Sequence, residues 1–293
     1  MTSRADIFHR ALARARARRG VALMGVCNVT PDSFSDGGRF LDPDAARARV
    51  DALIAAGADV IDVGGESTRP GAKPVPADEQ LARVLPVIRH AAERAVVSID
   101  TTSADVARAC LDAGAACVND VSCAADAELA SVAAAHGAAY VLMHARRTQA
   151  EMRGFGGVDE TEYDNVVREV LLDWRAAAER VQAAGVPRAH LVMDPGLGFF
   201  KTARHSMELL RRTREIVVGA QVPVLIGASL KSFLRVVDEG AAPDERAGAS
   251  IMAAVFAARA GAACVRVHDV RATRQAIDMD VILGTPPGHA GGR

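Results

Sequence analysis

Val21-Ala-Leu-Met-Gly-Val-Cys-Asn-Val-Thr-Pro-Asp-Ser-Phe-Ser-Asp-Gly-Gly38 changes character in its middle. Through Val26 it is an unbroken apolar run of strand length; beyond Asn28 it is a polar loop with one proline, two glycines and two carboxylates. A strand that is apolar throughout is covered on both faces, which marks a parallel sheet flanked by helices. Handing over an Asn and then a polar loop is how α/β enzymes place chemistry at a strand's carboxyl end.

Outward from this stretch the pattern repeats about eight times: an apolar strand, a polar residue at its end, an amphipathic helix. The strands are expected at residues 22–27, 60–63, 96–99, 117–118, 139–143, 190–193, 224–226 and 264–267. The helices are expected at 43–56, 77–94, 104–113, 127–136, 162–184, 206–218, 244–260 and 272–282. Ala56-Gly57-Ala58, Ala113-Gly114-Ala115 and Ala184-Gly185-Val186-Pro187 end their helices with glycine, which turns the chain out left-handed. Eight such units in 293 residues predict an α/β fold, a single (β/α)8 TIM barrel with an N-terminal helical extension. The alternative, a doubly wound open sheet, calls for a Gly-x-Gly-x-x-Gly turn after the first strand, and none is present. Residues 1–293 read as one domain, with 1–20 as the helical extension and 285–293, rich in Pro and Gly, as a frayed tail.

Composition narrows the function. Half the residues are apolar, the formal net charge is -1 and the sequence pI is near 6.7, so nucleic acid is not an expected partner. Arg10, Arg14, Arg16, Arg18 and Arg19 make the first helix basic. It is read as a solvated cap on the barrel rather than a targeting helix or anion-binding arm. No apolar core of signal-peptide type and no run long enough to span a membrane is seen, so a cytoplasmic location is expected. Cys27, Cys110, Cys117, Cys123 and Cys264 form no Cys-x-x-Cys pair, which fits buried free thiols. Cys27, beside Asn28, is a small core residue or a reactive thiol.

The barrel reading makes a sharp demand on the strand ends, where active sites lie. Those ends carry Asn28; Asp62; Asp100; Asn119 and Asp120; His144; Asp194; Ser229, Lys231 and Ser232; and Arg266 with His268. Any one of them is accounted for as a helix cap or turn residue. Eight converging on one face are not. The carboxylates and Asn119 suit a flat heterocycle with adjacent N–H donors, which one carboxylate accepts in pairs. Lys231, Arg266 and His268 suit an anion such as a phosphate ester. A pterin pyrophosphate answers both descriptions, as do GTP-like and orotate-like ligands.

Eight motifs then run in order from Val21 to about Val270. They are Asn28-Val-Thr-Pro-Asp-Ser-Phe-Ser-Asp36, Asp62-Val-Gly-Gly-Glu-Ser-Thr-Arg-Pro-Gly71, Ser98-Ile-Asp-Thr101, Val118-Asn-Asp-Val121, Val141-Leu-Met-His144, Asp194-Pro-Gly-Leu-Gly-Phe199, Ser229-Leu-Lys-Ser-Phe233 and Val265-Arg-Val-His268. In this set the chain resembles the dihydropteroate synthases, pterin-binding barrels of folate biosynthesis and targets of sulfonamides. The resemblance implies a transferase that condenses 6-hydroxymethyl-7,8-dihydropterin pyrophosphate with p-aminobenzoate, working as a homodimer. It implies a pterin pocket of Asp100, Asn119, Asp194 and Lys231 with Met143 and Phe199 as apolar walls. It also implies a pyrophosphate site of Asn28, Arg266 and His268, with Mg²⁺ at Asn28. Phe34, Thr68, Arg69 and Pro70 match loops that close over p-aminobenzoate, and Ser232, at a helix start, matches the residue that receives its carboxylate.

On this resemblance Lys231, Arg266, Asp36 and Asp194 carry catalysis. The leaving anion is stabilised by magnesium, Arg266 and His268, and a cation at the pterin methylene by Asp36 and Asp194. The aniline nitrogen is already nucleophilic, so no Ser or Cys nucleophile is assigned. Three places depart from the family pattern: Leu230 for a usual Arg, Phe200 for a usual Gly, and Ala145-Arg146-Arg147-Thr148 for a Gly- and Pro-containing loop. Phe200 either adds bulk to the pocket or points into the helix layer. Arg146 and Arg147 read as a solvated loop face or an extra anion site. Leu230 leaves open a divergent paralogue that binds pterin with another second substrate or without synthase activity. A corrinoid methyltransferase using methyltetrahydrofolate shares the pterin pocket and is the further alternative.

Overall fold

The computed structural model describes residues 2–30, 43–67, 75–147 and 163–284. Eight parallel strands lie in the order β6-β5-β4-β3-β2-β1-β8-β7. They are β1 (Ala22–Asn28), β2 (Val60–Gly64), β3 (Val96–Asp100), β4 (Cys117–Asp120), β5 (Ala139–Met143), β6 (Leu191–Asp194), β7 (Leu225–Ile226) and β8 (Cys264–Val267). A single bridge, Met193 to Val224, joins β6 to β7 and brings the sheet round into a nearly closed barrel. The α/β barrel expected from the sequence is present.

Among the described residues the helices are α1 (Arg4–Arg19), α2 (Pro43–Ala56), α3 (Ala77–Ala92), α4 (Ala104–Asp112), α5 (Ala127–Ala135), α6 (Val166–Ala183), α7 (Ala203–Arg211), α8 (Thr213–Ala220), α9 (Ala247–Arg259) and α10 (Val270–Gly284). Their apolar faces and the outward faces of the strands form one continuous core, with Trp174 fully buried in it. The indole N–H of Trp174 donates to the Leu142 carbonyl at 2.9 Å, so this lone tryptophan packs inward. A second cluster fills the barrel's lower end, where Phe8 and Leu12 of α1 meet Met24, Cys117, Val141 and Cys264. The first helix is therefore the cap that its sequence predicts. Arg19 is almost fully buried and Arg18 stays exposed, and both pair with Asp59.

Two expectations needed correction. The helix expected at 206–218 is two helices, α7 and α8, broken at Arg212. Thr213 Oγ1 lies 2.7 Å from the Leu210 carbonyl, taking an acceptor near the break. The start is also earlier, because Thr202 caps the helix with His205 reaching back to the Thr202 N–H. The seventh strand is only two residues long, following Pro223, which has no N–H to give a ladder.

Candidate active site

Register decides which polar residues meet. Asn28, Gly64, Asp100 and Asn119 are successive Cα partners across β1 to β4, one rung at the top of the barrel. One step below lie Val26, Asp62 and Ser98. Arg266 reaches across from β8 and joins the two levels. Its Nε donates to Asp62 Oδ2 at 2.7 Å and its Nη2 to Asp100 Oδ2 at 2.8 Å. Asn119 Nδ2 donates to the same Asp62 oxygen at 3.1 Å. One guanidinium thus serves two buried carboxylates. Burial pushes the Asp100 carboxyl up to about 7, with Arg266 pulling it down and the Asp62 charge adding to the rise. No contact among the described residues takes Arg266 Nη1, which remains a donor for an anion.

A second group stands across the mouth. Asp194, at the end of β6, accepts the Gly196 N–H at 2.7 Å. Burial raises its carboxyl, while Lys231 and the Gly196 N–H oppose the rise. Lys231 Nζ donates to the Leu197 carbonyl at 2.7 Å and lies 4.7 Å from the centre of the Phe199 ring. Burial lowers its ammonium to about 8, against the pull of Asp194. Gly227 lies between these groups: a Cβ there would be 3.8 Å from Asp194 Oδ2, 3.8 Å from Lys231 Nζ and 3.9 Å from Arg266 Cβ. Met143, Phe199, Phe200 and Val121 form a small apolar cluster.

The remaining sequence-predicted residues are placed as follows. His268, just past β8, has Nδ1 3.0 Å from Ser229 Oγ, and its backbone N–H donates to the same oxygen at 3.2 Å. Asn28 sits at the end of β1, half-buried. Ser232 opens a five-residue 3-10 helix, Ser232–Val236, and its hydroxyl is buried without a hydrogen-bond partner. That turn is too short to give the helix dipole expected at this position. Phe34, Asp36, Thr68, Arg69 and Pro70 lie outside the described residues.

The departures from the family pattern now have surroundings. Leu230 holds a left-handed φ of +61°, its N–H bound to Ser250 Oγ at 2.9 Å and its carbonyl to Arg246 Nη1 at 3.1 Å. An arginine does brace this loop, but it comes from Arg246 just before α9. Phe200 also holds a left-handed φ, +48°, and is 5% exposed within the Met143–Phe199 cluster, not in the helix layer. Arg146 is neither a solvated loop face nor an anion site. It lies between Glu169 (2.8 Å) and Asp173 (2.9 Å), over the Tyr163 ring. The Cys27 thiol is buried and pushed up to about 12 by that burial, which makes it a core residue.

Sequence reasoning counted Asp62 among the carboxylates suited to the ring, but not as the shared acceptor for Arg266 and Asn119. The positions that would reveal this, Asp62 and Arg266, are 204 residues apart. Ser229 as holder of His268 and Lys201 behind Phe199 were also missed. Ser229 stood in the strand-end list with nothing to name its partner, and Lys201 reads as a lysine before a helix.

A barrel whose mouth sets buried carboxylates against an arginine and a lysine is that of an α/β-barrel enzyme. The family described as pterin binding enzyme matches residues 24–268, and the chain belongs to it. Dihydropteroate synthase of Mycobacterium leprae is 48% identical over 266 residues, covering 88% of this chain and 92% of that protein. The structure of Xanthomonas albilineans dihydropteroate synthase with 4-aminobenzoic acid superposes with a TM-score of 0.82 at 36% identity, covering 91% of this chain and 94% of that one. The same enzyme in complex with 7,8-dihydropteroate gives 0.78 at 34% identity, covering 91% and 95%. Within the family the chain is a transferase of the dihydropteroate synthase kind, acting in folate biosynthesis.

Proposed function

We propose that the two charged groups at the barrel mouth divide the labour of joining 6-hydroxymethyl-7,8-dihydropterin pyrophosphate to p-aminobenzoate. The observation that carries this reading is the convergence of Asp194, Lys231 and Arg266 on the backbone of Gly227 at the barrel mouth. The pterin ring lies there. Asp194, Asp100 and Asn119 take its N–H edge and fix its orientation. Lys231 donates to ring acceptors, and Met143 and Phe199 hold the ring's faces. Arg266, through its remaining N–H groups, and His268 meet the pyrophosphate.

In the reaction the methylene C–O bond breaks, pyrophosphate leaves with the electron pair, the aniline nitrogen forms the C–N bond, and its proton is released. Positive charge at the methylene is favoured by the Asp194 carboxylate, and negative charge on the leaving group by Arg266. Asp36 is assigned to the same stabilisation. Phe34, Thr68, Arg69, Pro70 and the Ser232 hydroxyl are assigned to p-aminobenzoate.

Magnesium belongs to this reading through Asn28. Among the described residues, no group of three or more His, Cys, Asp or Glu is arranged to hold a metal. Asn28 Oδ1 stands over Gly64, 3.8 Å from where a Cβ would be, so it offers one hard oxygen at the top of the barrel. That suits Mg²⁺, which takes few protein ligands and keeps waters and substrate phosphate oxygens. Asn28 would hold it, and its charge would offset that of the departing pyrophosphate.

The working form is proposed as a cytoplasmic homodimer. No helix among the described residues is long and apolar enough to cross a membrane. An apolar groove of about 740 Å³ between α7, the Ser232–Val236 turn and α9 is lined by Met207, Leu234, Val237, Met252 and Phe256. Val237 and Met252 are 74% and 55% exposed, a face that a second copy would cover. Light scattering of Met252→Glu tests it: a shift from dimer to monomer is expected, and an unshifted mass refutes this surface. The activity itself is tested by pyrophosphate release from dihydropterin pyrophosphate with and without p-aminobenzoate. Release coupled to dihydropteroate formation is expected; pterin binding without release overturns the assignment of roles.

A further inference from the structure

Behind the pterin slot lies a buried lysine that the reaction does not use. Lys201 is 1% exposed, and among the described residues its ammonium meets neutral acceptors: His144 Nδ1 at 2.9 Å, the Phe199 carbonyl at 3.0 Å and the His144 carbonyl at 3.5 Å. His144 is itself fixed. Its Nε2 lies 3.3 Å from Asp173 Oδ2, so Nε2 carries the proton and Nδ1 presents a lone pair to Lys201. Its backbone N–H donates to the Asp194 carbonyl at 2.8 Å.

The loop from Asp194 to Lys201 therefore begins and ends on His144. In between, it carries the Asp194 carboxylate, the Leu197 carbonyl that receives Lys231, and the Phe199 ring under that ammonium. Its path is tight. A Cβ on Gly196 (φ +66°) would fall 2.1 Å from the His144 carbonyl oxygen, and Phe200 is held at a positive φ. Such a loop stays in one conformation only if something over-determines it. Burial has driven the Lys201 ammonium down to about 7 and the His144 ring to about 4. An apolar side chain here would leave the Phe199 carbonyl and His144 Nδ1 without this donor.

We propose that Lys201 is a positioning residue for the pterin half of the reaction, tying the Phe199 carbonyl to His144 so that Asp194, Leu197 and Phe199 present one rigid wall. It touches no substrate. Its effect passes through Asp194 and Phe199, both assigned to the pterin, and through the Leu197 carbonyl that holds Lys231, and through none that is assigned to p-aminobenzoate. The inference rests on the pterin-slot reading above.

The test is steady-state kinetics of Lys201→Met, which keeps the stem and removes the ammonium. KM for dihydropterin pyrophosphate should rise at least about ten-fold while KM for p-aminobenzoate stays within about two-fold. Lys201→Arg, which keeps a charged donor, should recover part of the loss. His144→Phe, which removes the Nδ1 acceptor and spares the Phe199 contact, should give a smaller loss with the same selectivity. It decides the matter if Lys201→Met does not fold. Equal effects on both substrates, or a lowered melting temperature with unchanged KM, overturn the proposal. Lys231→Ala in the same assay separates the two levels. If it too leaves the pterin KM unchanged, the slot reading is at fault; if it raises that KM and Lys201→Met does not, only the role of Lys201 falls.

Discussion

The lower and upper ends of the barrel are built from the same strands and behave as different materials. At the lower end Val60, Cys117, Val192 and Cys264 pack against each other and against Phe8 and Leu12 of α1. Two residues further along the same strands stand Asp62, Asn119, Asp194 and Arg266. A spacing of two keeps a strand residue on the same face, so the interior turns from dry to charged over ~7 Å. Stability and chemistry are therefore separable along each strand, except where a charge reaches down. Arg266 does so through Asp62, which is fully buried.

That exception gives the largest expected effect. Arg266→Ala should abolish turnover and also cost ~3–5 kcal/mol of stability, because it strands two buried carboxylates. Urea unfolding at neutral pH checks this, and wild-type stability would restore a clean division between the ends. Phe8→Ala is the converse. It should cost ~3–5 kcal/mol by opening a cavity at the lower end, with kcat/KM nearly unchanged once the protein is folded. A large kinetic defect in that variant would mean that the two ends are coupled. Lys231→Ala should lower kcat/KM by about 10²–10³-fold with a smaller loss of melting temperature than Arg266→Ala, since it leaves one buried carboxylate, Asp194, without its ammonium.

A smaller effect sharpens the upper end. Asp100 must be ionised to accept ring N–H groups, and its carboxyl lies at about 7, so pterin binding should weaken as pH falls below that value. Lys231 is the stronger donor as an ammonium, which lies at about 8, so binding should weaken again above it. Calorimetric titrations at pH 6, 7.5 and 9 should show the tightest binding in the middle; a flat profile would remove both groups from ring recognition. The smallest effect belongs to Leu230, whose left-handed φ of +61° suits glycine. Leu230→Gly should gain about 0.5 kcal/mol, strain relief outweighing glycine's extra entropy cost by a little.

Periodicity made the barrel legible, because a parallel strand announces itself by continuous burial and its helix by a glycine stop. The β5 and β8 bounds and α2 followed directly. The break at Arg212 did not, since it arises from side-chain bonds to helix carbonyls that propensity does not encode. For the site, the strand-end census found the polar groups and the resemblance sorted them into a pocket. Neither could show that Asp62 is shared by Arg266 and Asn119, or that Lys201 reaches His144. Those are contacts between distant segments, decided by register and by the depth at which a long side chain ends. Phe200 was misjudged as able to face the helix layer because its positive φ, which turns it into the slot wall, is unusual for a bulky residue.

The barrel's weakest seam lies between β6 and β7, joined by one bridge at Met193 and Val224. Asp194 ends one of these strands and Lys231 follows the other, so a ring held by both would act as a rivet across the gap. Amide hydrogens of β7 should then exchange with solvent faster than those of β2 in the free protein, and slow when a pterin binds. On this view the ligand supplies the last stave of the barrel.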